Sequence, residues 1–396
     1  MSAFTRFRSA HGVRPKDHQD LDWHHIHAPS DVDAVPDEAR AISIRGLSVG
    51  LFKALPPNLE ALHLNWCADL DDAFLERLRD GRAIRWLYID HCLAPDLSGA
   101  ALAGFSGSDS LEVLAVRARP DDPPLRIDGV ALHSAHRLRI LALQNHPALA
   151  DVSGLADLPA LEILDLGGSP ARSALTLTTL RRLLLDGPLP FDPQMMSSLP
   201  ALAGLEEMSL LDRRWPAGAT AAPFGQLTGL RRLSLRGSRQ IPDTSLFSAL
   251  PPLEVLDLAE IRAPSTEALK TLPPISALRL PGHKLTDGHL AAAPDTATLW
   301  LAEGAAKISP HGWDGRTARG LQHLTIDCML KRTRRHVRGW ADLGLLSLTI
   351  YRGAEALRPA DLAPLRGLPR LHLEQGDIDA VSTALPGTQV TIGLGQ

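Results

Sequence analysis

Apolar residues return along the chain in one arrangement, L-x-x-L-x-L, with polar or small residues between them. Copies run through Leu59-x-x-Leu62-x-Leu64, Ile84-x-x-Leu87-x-Ile89, Leu138-x-x-Leu141-x-Leu143, Leu161-x-x-Leu164-x-Leu166, Leu230-x-x-Leu233-x-Leu235, Leu253-x-x-Leu256-x-Leu258 and Leu321-x-x-Leu324-x-Ile326. Others start at Leu111, Leu180, Leu205, Ile275, Thr296, Leu345 and Leu368, and weaker copies lie near Ile42/Ile44 and Val390/Ile392. Within each copy the apolar residues alternate, as in Leu141-Ala142-Leu143. That period of two predicts a short strand with one face in a core. A turn and a second apolar segment follow, which predicts a short helix or a single helical turn. Asp71, Asp151, Asp243 and Asp287 open such segments, where a carboxylate can accept from the free N–H groups of a helix start. Pro56, Pro159, Pro200, Pro251 and Pro273 follow many of them and return the chain to an extended path. The step averages about 23 residues, a period that means stacked strand–turn–helix units instead of a globule around one pocket.

On these residues the chain resembles the leucine-rich repeat family over roughly residues 39–392. The family motif continues to a ninth position, N or C, and here Cys67 and Cys92 occupy it, with His146, Ser169, Ser238 and His283 in other copies. The resemblance implies an α/β curved solenoid: about sixteen parallel strands on a concave face, with short helices and turns on the convex face. It also implies that the Cys side chains turn inward to hydrogen-bond loop backbone, while the departures from Asn imply irregular curvature. Residues 1–38 lack the repeat and are expected to form an N-terminal cap, with 39–396 the solenoid and its C-terminal capping unit. Excursions at 119–128, 188–193, 213–225 and 306–320 are rich in Pro or Gly and predict loops.

Composition narrows the picture. The net charge of −4 gives no general pull toward nucleic acid or anionic membrane. No stretch approaches the eighteen consecutive apolar residues of a spanning helix. Residues 1–18 carry Arg6, Arg8, Arg14 and Lys16 without an apolar segment, unlike a secretory signal. Three cysteines, two of them at inward repeat positions, do not make the cysteine-rich caps of secreted repeat proteins. The expectation is a bacterial cytoplasmic protein with reduced, buried thiols and no disulfide between Cys67 and Cys92.

Four groups of residues invite a chemical reading. Gly46-Leu47-Ser48-Val49-Gly50 fits the nucleophile-elbow pattern and lies between a strand and a helical segment; the repeat itself supplies that context at every unit. His24, His25 and His27, with carboxylates nearby, offer metal-ligand chemistry, but their spacing matches no closed tetrahedral site. The run Lys331–Arg338 holds five cations in eight residues, read here as a solvated basic face. Last is the concave face, where the fifth and seventh repeat positions should point outward. His63, Asn65, Tyr88, Asp90 and Tyr351 fall in those columns, as does Trp300, with Trp66 and Trp86 at neighbouring positions expected to be exposed. Trp, Tyr and Arg concentrate at the energetic centres of interfaces.

These residues lead to a non-enzymatic recognition scaffold that holds a protein or peptide partner on its concave face, centred on His63, Asn65, Trp66, Trp86, Tyr88 and Asp90, with Trp300 and Tyr351 as a second focus. A toxin-neutralising immunity protein or an accessory factor for a modifying enzyme would be such a scaffold. No cofactor, metal or catalytic residue is expected, and nucleic acid is disfavoured because no basic stripe with interleaved aromatics runs along the repeats. The alternative is a hydrolase or metal-dependent enzyme centred on Ser48 or on His24, His25 and His27.

Overall fold

The computed structural model describes residues 21–80, 83–92, 104, 110–118, 132, 135–146, 152–170, 175–216, 222–314, 320–352 and 354–393. The chain divides into two compact units, the first taking Arg6–Ser209 with Gln226–Gly229 and the second taking Leu210–Gly225 with Leu230–Gln396. The first unit holds β1 (Trp23–Ile26), β2 (Ala41–Arg45), β3 (Ala61–Asn65), β4 (Trp86–Asp90), β5 (Val113–Arg117), β6 (Ile140–Gln144), β7 (Ile163–Asp165), β8 (Arg182–Leu184) and β9 (Glu207–Ser209). The second holds β10 (Arg232–Ser234), β11 (Leu253–Asp257), β12 (Ile275–Leu280), β13 (Thr298–Leu301), β14 (Ala305–Ala306), β15 (His323–Ile326), β16 (Met329–Leu330), β17 (Ser347–Ile350), β18 (Arg370–Leu373) and β19 (Gln389–Ile392). Seventeen of these strands form parallel sheet, and β14 and β16 pair separately. The extra strand beyond the sixteen expected is β1. It lies in the segment read as a cap, yet it pairs in parallel with β2, Trp23 opposite Ala41 and Ile26 opposite Ile44.

Register explains why each unit needs its neighbours. Ile42, Leu62, Leu87, Leu114, Leu141, Leu164, Leu183 and Met208 stand opposite one another on successive strands of the first unit. All are fully buried. Leu233, Leu256, Leu278, Leu299, Leu324, Leu348 and Leu371 form the corresponding column of the second. Each buried Leu contributes about 1.5–3 kcal/mol, and it gains that only when a further unit closes over it.

Short helices and 3-10 turns complete the core behind the strands. Helix Asp72–Arg79 buries Phe74, Leu75 and Leu78, and Asp71 caps it by accepting from the Phe74 N–H at 2.7 Å. Asp287 departs from the expected capping role. It is the first helical residue of Asp287–Ala292, Thr286 is the cap, and the Asp287 carboxylate accepts from Ser309 N and Ser309 Oγ, each at 2.7 Å. Asp151 and the 119–128 excursion lie outside the described residues. Among the described residues no helix is long and apolar enough to cross a membrane.

Three repeat positions outside the leucines have regular jobs. In four copies the ninth side chain donates to the sixth-position carbonyl of the preceding unit, Cys67 to Ile44, His146 to Val116, Ser169 to Leu143 and Ser238 to Leu210, whereas Cys92 donates to Asp90 O in its own unit. Any small or planar donor that reaches a buried carbonyl satisfies it, so Cys, His and Ser serve in one ladder. Cys67, Cys92 and Cys328 are free and buried. The eighth residue takes the left-handed backbone conformation, as at Trp66, His91, Asn145, Gly168, Asp212, Gly237 and Glu260. At the second position Glu60, Arg85, Glu112, Arg139, Glu162, Arg181 and Glu206 alternate in sign. Ion pairs link Arg85 to Glu60 and Glu112, Arg139 to Glu162 and Arg181 to Glu206, and Arg231 to Glu254 in the second unit.

Candidate functional site

The face of the strands turned away from the leucine core carries the third, fifth and seventh repeat positions. In the first unit its third column reads Ala41, Ala61, Trp86, Val113, Ile140 and Ile163 in direct register. Trp86 and Tyr88 are both fully buried. They belong to an apolar cluster with Ala41, Ala61, Val113, Ala115 and Ala142, against which Leu21 and Trp23 pack. This corrects the expectation that Trp86 and Tyr88 are exposed. Trp86 stands between Ala61 and Val113 and Tyr88 between His63 and Ala115. The small Ala61 and Ala115 leave room for the rings, and burying an aromatic ring among apolar side chains is strongly favourable.

Polar residues of the patch make a different structure. His63 Nε2 lies 2.9 Å from Asp90 Oδ2 and Arg117 Nε lies 3.9 Å from Asp90 Oδ1. Arg117 donates to Gln144 Oε1 at 2.7 Å, and Gln144 donates to Asp165 Oδ2 at 2.7 Å. Asp165 Oδ1 accepts from the Gly167 N–H at 3.0 Å. One side chain from each of five successive strands thus joins a single polar chain. Asp90 and Asp165 are buried within it, so each link matters more than it would in water. Asn65 is half-buried beside it. Trp66 is 49% exposed and sits at φ 57, its ring 5.3 Å from that of His91.

In the second unit the same face stays open around aromatic rings. Arg279 lies over the Trp300 ring at 4.1 Å and 3.5 Å from Asp257. Trp300 stands 6.2 Å from Tyr351, and Tyr351 stands 5.7 Å from His372. Trp300, Tyr351 and His372 are half-buried. Burial pushes the Asp257 carboxyl above the usual carboxylate range, with Arg279 pulling the other way. Burial likewise raises the Tyr351 phenol. Arg352 closes the rim by pairing with Glu303 at 2.9 Å and Asp327 at 3.4 Å.

Among the remaining candidates Ser48 has a structural job. Ser48 Oγ accepts from the Gly50 N–H at 3.1 Å and donates to Asp69 Oδ2 at 2.6 Å, capping the 3-10 turn Val49–Leu51. The nucleophile-elbow pattern is therefore met by a turn cap. His25 and His27 stack with centroids 6.2 Å apart, whereas His24 points to the other side of β1. The Asp31 carboxylate accepts from His27 N and Ala28 N, which lowers its pKa. Among the described residues no cluster of three or more His, Cys, Asp or Glu is placed to hold a metal. Within Lys331–Arg338 the five cations are exposed, while Thr333 and His336 are buried.

No protein-family model matches the chain, and no curated protein matches its sequence. Solved structures do. The mouse RP105/MD-1 complex aligns with a TM-score of 0.58 at 17% identity, covering 91% of this chain and 68% of that one. The TLR13–ssRNA13 complex aligns with a TM-score of 0.55 at 14% identity, covering 93% and 61%. The Toll–Spatzle complex from Drosophila aligns with a TM-score of 0.53 at 15% identity, covering 94% and 55%. The chain thus spans under two thirds of the length of the last two.

The fold is a leucine-rich repeat solenoid. In a leucine-rich repeat frame the third column lies beside the fifth on one face of the strands. Six successive apolar residues from Ala41 to Ile163 in that column signal a covered face. The polar chain from His63 to Asp165 was also written in the fifth and seventh columns, but its partners emerge only when strands are set side by side.

Proposed function

We propose that this protein is a non-enzymatic recognition scaffold that holds a protein or peptide segment on the open face of its strands. The observation that carries the reading is the half-buried cluster of Arg279, Trp300, Tyr351 and His372. It combines large apolar area with hydrogen-bonding edges and a charged rim, the composition of interface centres. Three of the structures it resembles are named as complexes with a protein or an RNA, which supports a binding role without naming a partner. In the first unit Trp66, His63 and Asn65 offer a smaller contact area, and Trp86, Tyr88 and Asp90 support it from beneath. Toxin neutralisation and assistance to a modifying enzyme are two roles for such a scaffold.

The test is affinity capture from the native cell with the wild type, Trp300→Ala and Tyr351→Ala, quantified by mass spectrometry beside thermal melts. The reading expects a captured protein lost at least tenfold, on the order of 1.4 kcal/mol or more, from both variants with the melting temperature little changed. A captured toxin domain supports the first role and a modifying enzyme the second. Full capture by both variants overturns the assignment of the centre.

A further inference from the structure

Beyond the open face, the edge where strands pass into their following loops carries a regular charge pattern in the second unit. Arg214, Arg239, Arg262 and Lys284 occupy the tenth position of four successive repeats; in the next two that position is Ala305 and Leu330, and Lys307 and Lys331 lie just beyond it. Backbone pairing sets the row, with a step of two residues between Lys284 and Lys307. Arg214 and Arg239 form a parallel bridge, as do Thr286 and Lys307. Lys284 N donates to Ala305 O, and Lys307 N donates to Leu285 O. Lys307 and Lys331 directly follow the paired residues Ala306 and Leu330 of β14 and β16. One cation per unit at a strand spacing of about 4.8 Å gives a row roughly 24 Å long. All six side chains are exposed, and among the described residues none forms an ion pair.

The pattern belongs to this edge alone. The corresponding tenth positions of the earlier repeats are Ala68, Leu93, Pro120, Pro147, Pro170 and Leu189, none of them charged. Several other cations of the second unit are engaged: Arg231 with Glu254, Arg236 with Glu260, Arg279 with Asp257 and Arg352 with Glu303. The row also borders two hollows. One of about 920 Å³ is lined by Arg239, Gln240, Glu260, Arg262 and His289, and one of about 700 Å³ by Arg262, His283, Lys284, His289 and Glu303. Beyond Lys331 the exposed Arg332, Arg334, Arg335 and Arg338 extend the positive surface.

From this arrangement we infer that the loop edge of the second unit binds an acidic, extended polypeptide segment. Six cations in a row without ion-pair partners repel one another, and an opposing row of carboxylates relieves that cost while gaining charge-assisted hydrogen bonds. A span of roughly 24 Å matches about seven residues of extended chain. Two features favour a peptide over a nucleic acid. Single strands are gripped by aromatic platforms, whereas the aromatics nearest the row, Trp215 and Phe247, are fully buried. Asp212, Glu260 and Glu303 share the hollows with the cations, which opposes a continuous phosphate backbone but admits a chain whose acids are spaced by neutral residues. This surface is separate from the Arg279–Trp300–Tyr351 cluster and does not depend on it.

The test uses the full chain and three fluorescent probes: a peptide of about ten residues alternating Glu and Ser, the same peptide with Gln for Glu, and an oligothymidylate of equal charge. Anisotropy titrations compare the wild type, the combined variant Arg239→Ser, Arg262→Ser and Lys284→Ser, and Trp300→Ala. The inference expects the Glu peptide to bind more tightly than both other probes, with affinity falling as salt rises. It expects at least a tenfold loss in the combined variant at an unchanged melting temperature, and wild-type binding by Trp300→Ala. Glu and Gln peptides binding alike, a combined variant that binds as the wild type does, or tighter binding of the oligothymidylate would each overturn it.

Discussion

Trp86 with Tyr88 and Trp300 with Tyr351 occupy the same face of the same kind of strand, yet the first pair is sealed and the second is open. What differs is the company on adjacent strands. Ala41, Ala61, Ala115 and Ala142 surround the first pair, leaving room that apolar side chains, Trp23 among them, fill. An Arg over the Trp ring and a His against the Tyr ring occur in both pairs, Arg85 at 4.2 Å and His63 at 5.9 Å in the first, Arg279 at 4.1 Å and His372 at 5.7 Å in the second, so the apolar cover is what separates them. An aromatic ring on a solenoid face is therefore structural or available according to the apolar side chains that pack over it, whatever its place in the repeat.

The strongest way to break this comparison is Trp86→Ala. Removing a fully buried Trp should cost about 3–5 kcal/mol, read as a lower urea midpoint, whereas Trp300→Ala should cost less than about 1 kcal/mol. Equal losses would mean the two faces are packed alike.

Acid should loosen the first unit next. Burial lowers the His146 pKa from 6.5 to about 4, with Nε2 donating to the Val116 carbonyl at 3.2 Å. Below about pH 6.5 the unfolded chain takes up the proton first. Stability therefore falls as the pH drops from there toward about 4, by roughly 3 kcal/mol in full. His336 is shifted the same way by burial, and its Nδ1 already accepts from Trp313 Nε1 at 3.1 Å. His146→Asn keeps a donor but cannot titrate, so its urea midpoint should change less between pH 7 and pH 4.5. An unchanged pH slope would show that His146 is not the responsible group.

The smallest effect concerns Trp66, a ring of the first unit that faces solvent. Its left-handed backbone is one that Gly adopts freely. Trp66→Gly should leave stability unchanged or raise it by up to about 1 kcal/mol, while Trp66→Val should lose about 2 kcal/mol because a β-branched residue strains there. A marked loss in the Gly variant would show that the Trp66–His91 contact outweighs the strain.

Much of this was legible from the leucines. Their spacing fixes strand, turn and back segment at each unit, because an apolar period of two cannot be buried in any other way. Asp71 as a helix cap was legible for the same local reason, and Asp287 was misread because its carboxylate is claimed by Ser309 from the next unit. The burial of Trp86 escaped a column-by-column reading since it depends on four alanines scattered from 41 to 142. The strand at Trp23–Ile26 escaped because His24 and His25 hide its apolar alternation. Ser48 matched a catalytic pattern through its turn geometry, which the repeat supplies at every unit.

The alternation of Glu and Arg at the second repeat position has a consequence for how such a chain can change length. Each acid from Glu60 to Glu206 is flanked by units bearing Arg, so the stack has a parity as well as a register. Losing one unit from that stretch would set Arg beside Arg or Glu beside Glu, a mismatch that opposes the junction. Losing two restores the alternation. Over these repeats the natural step for growth or shrinkage is therefore the pair, and a domain trimmed by an odd count carries a scar at its seam.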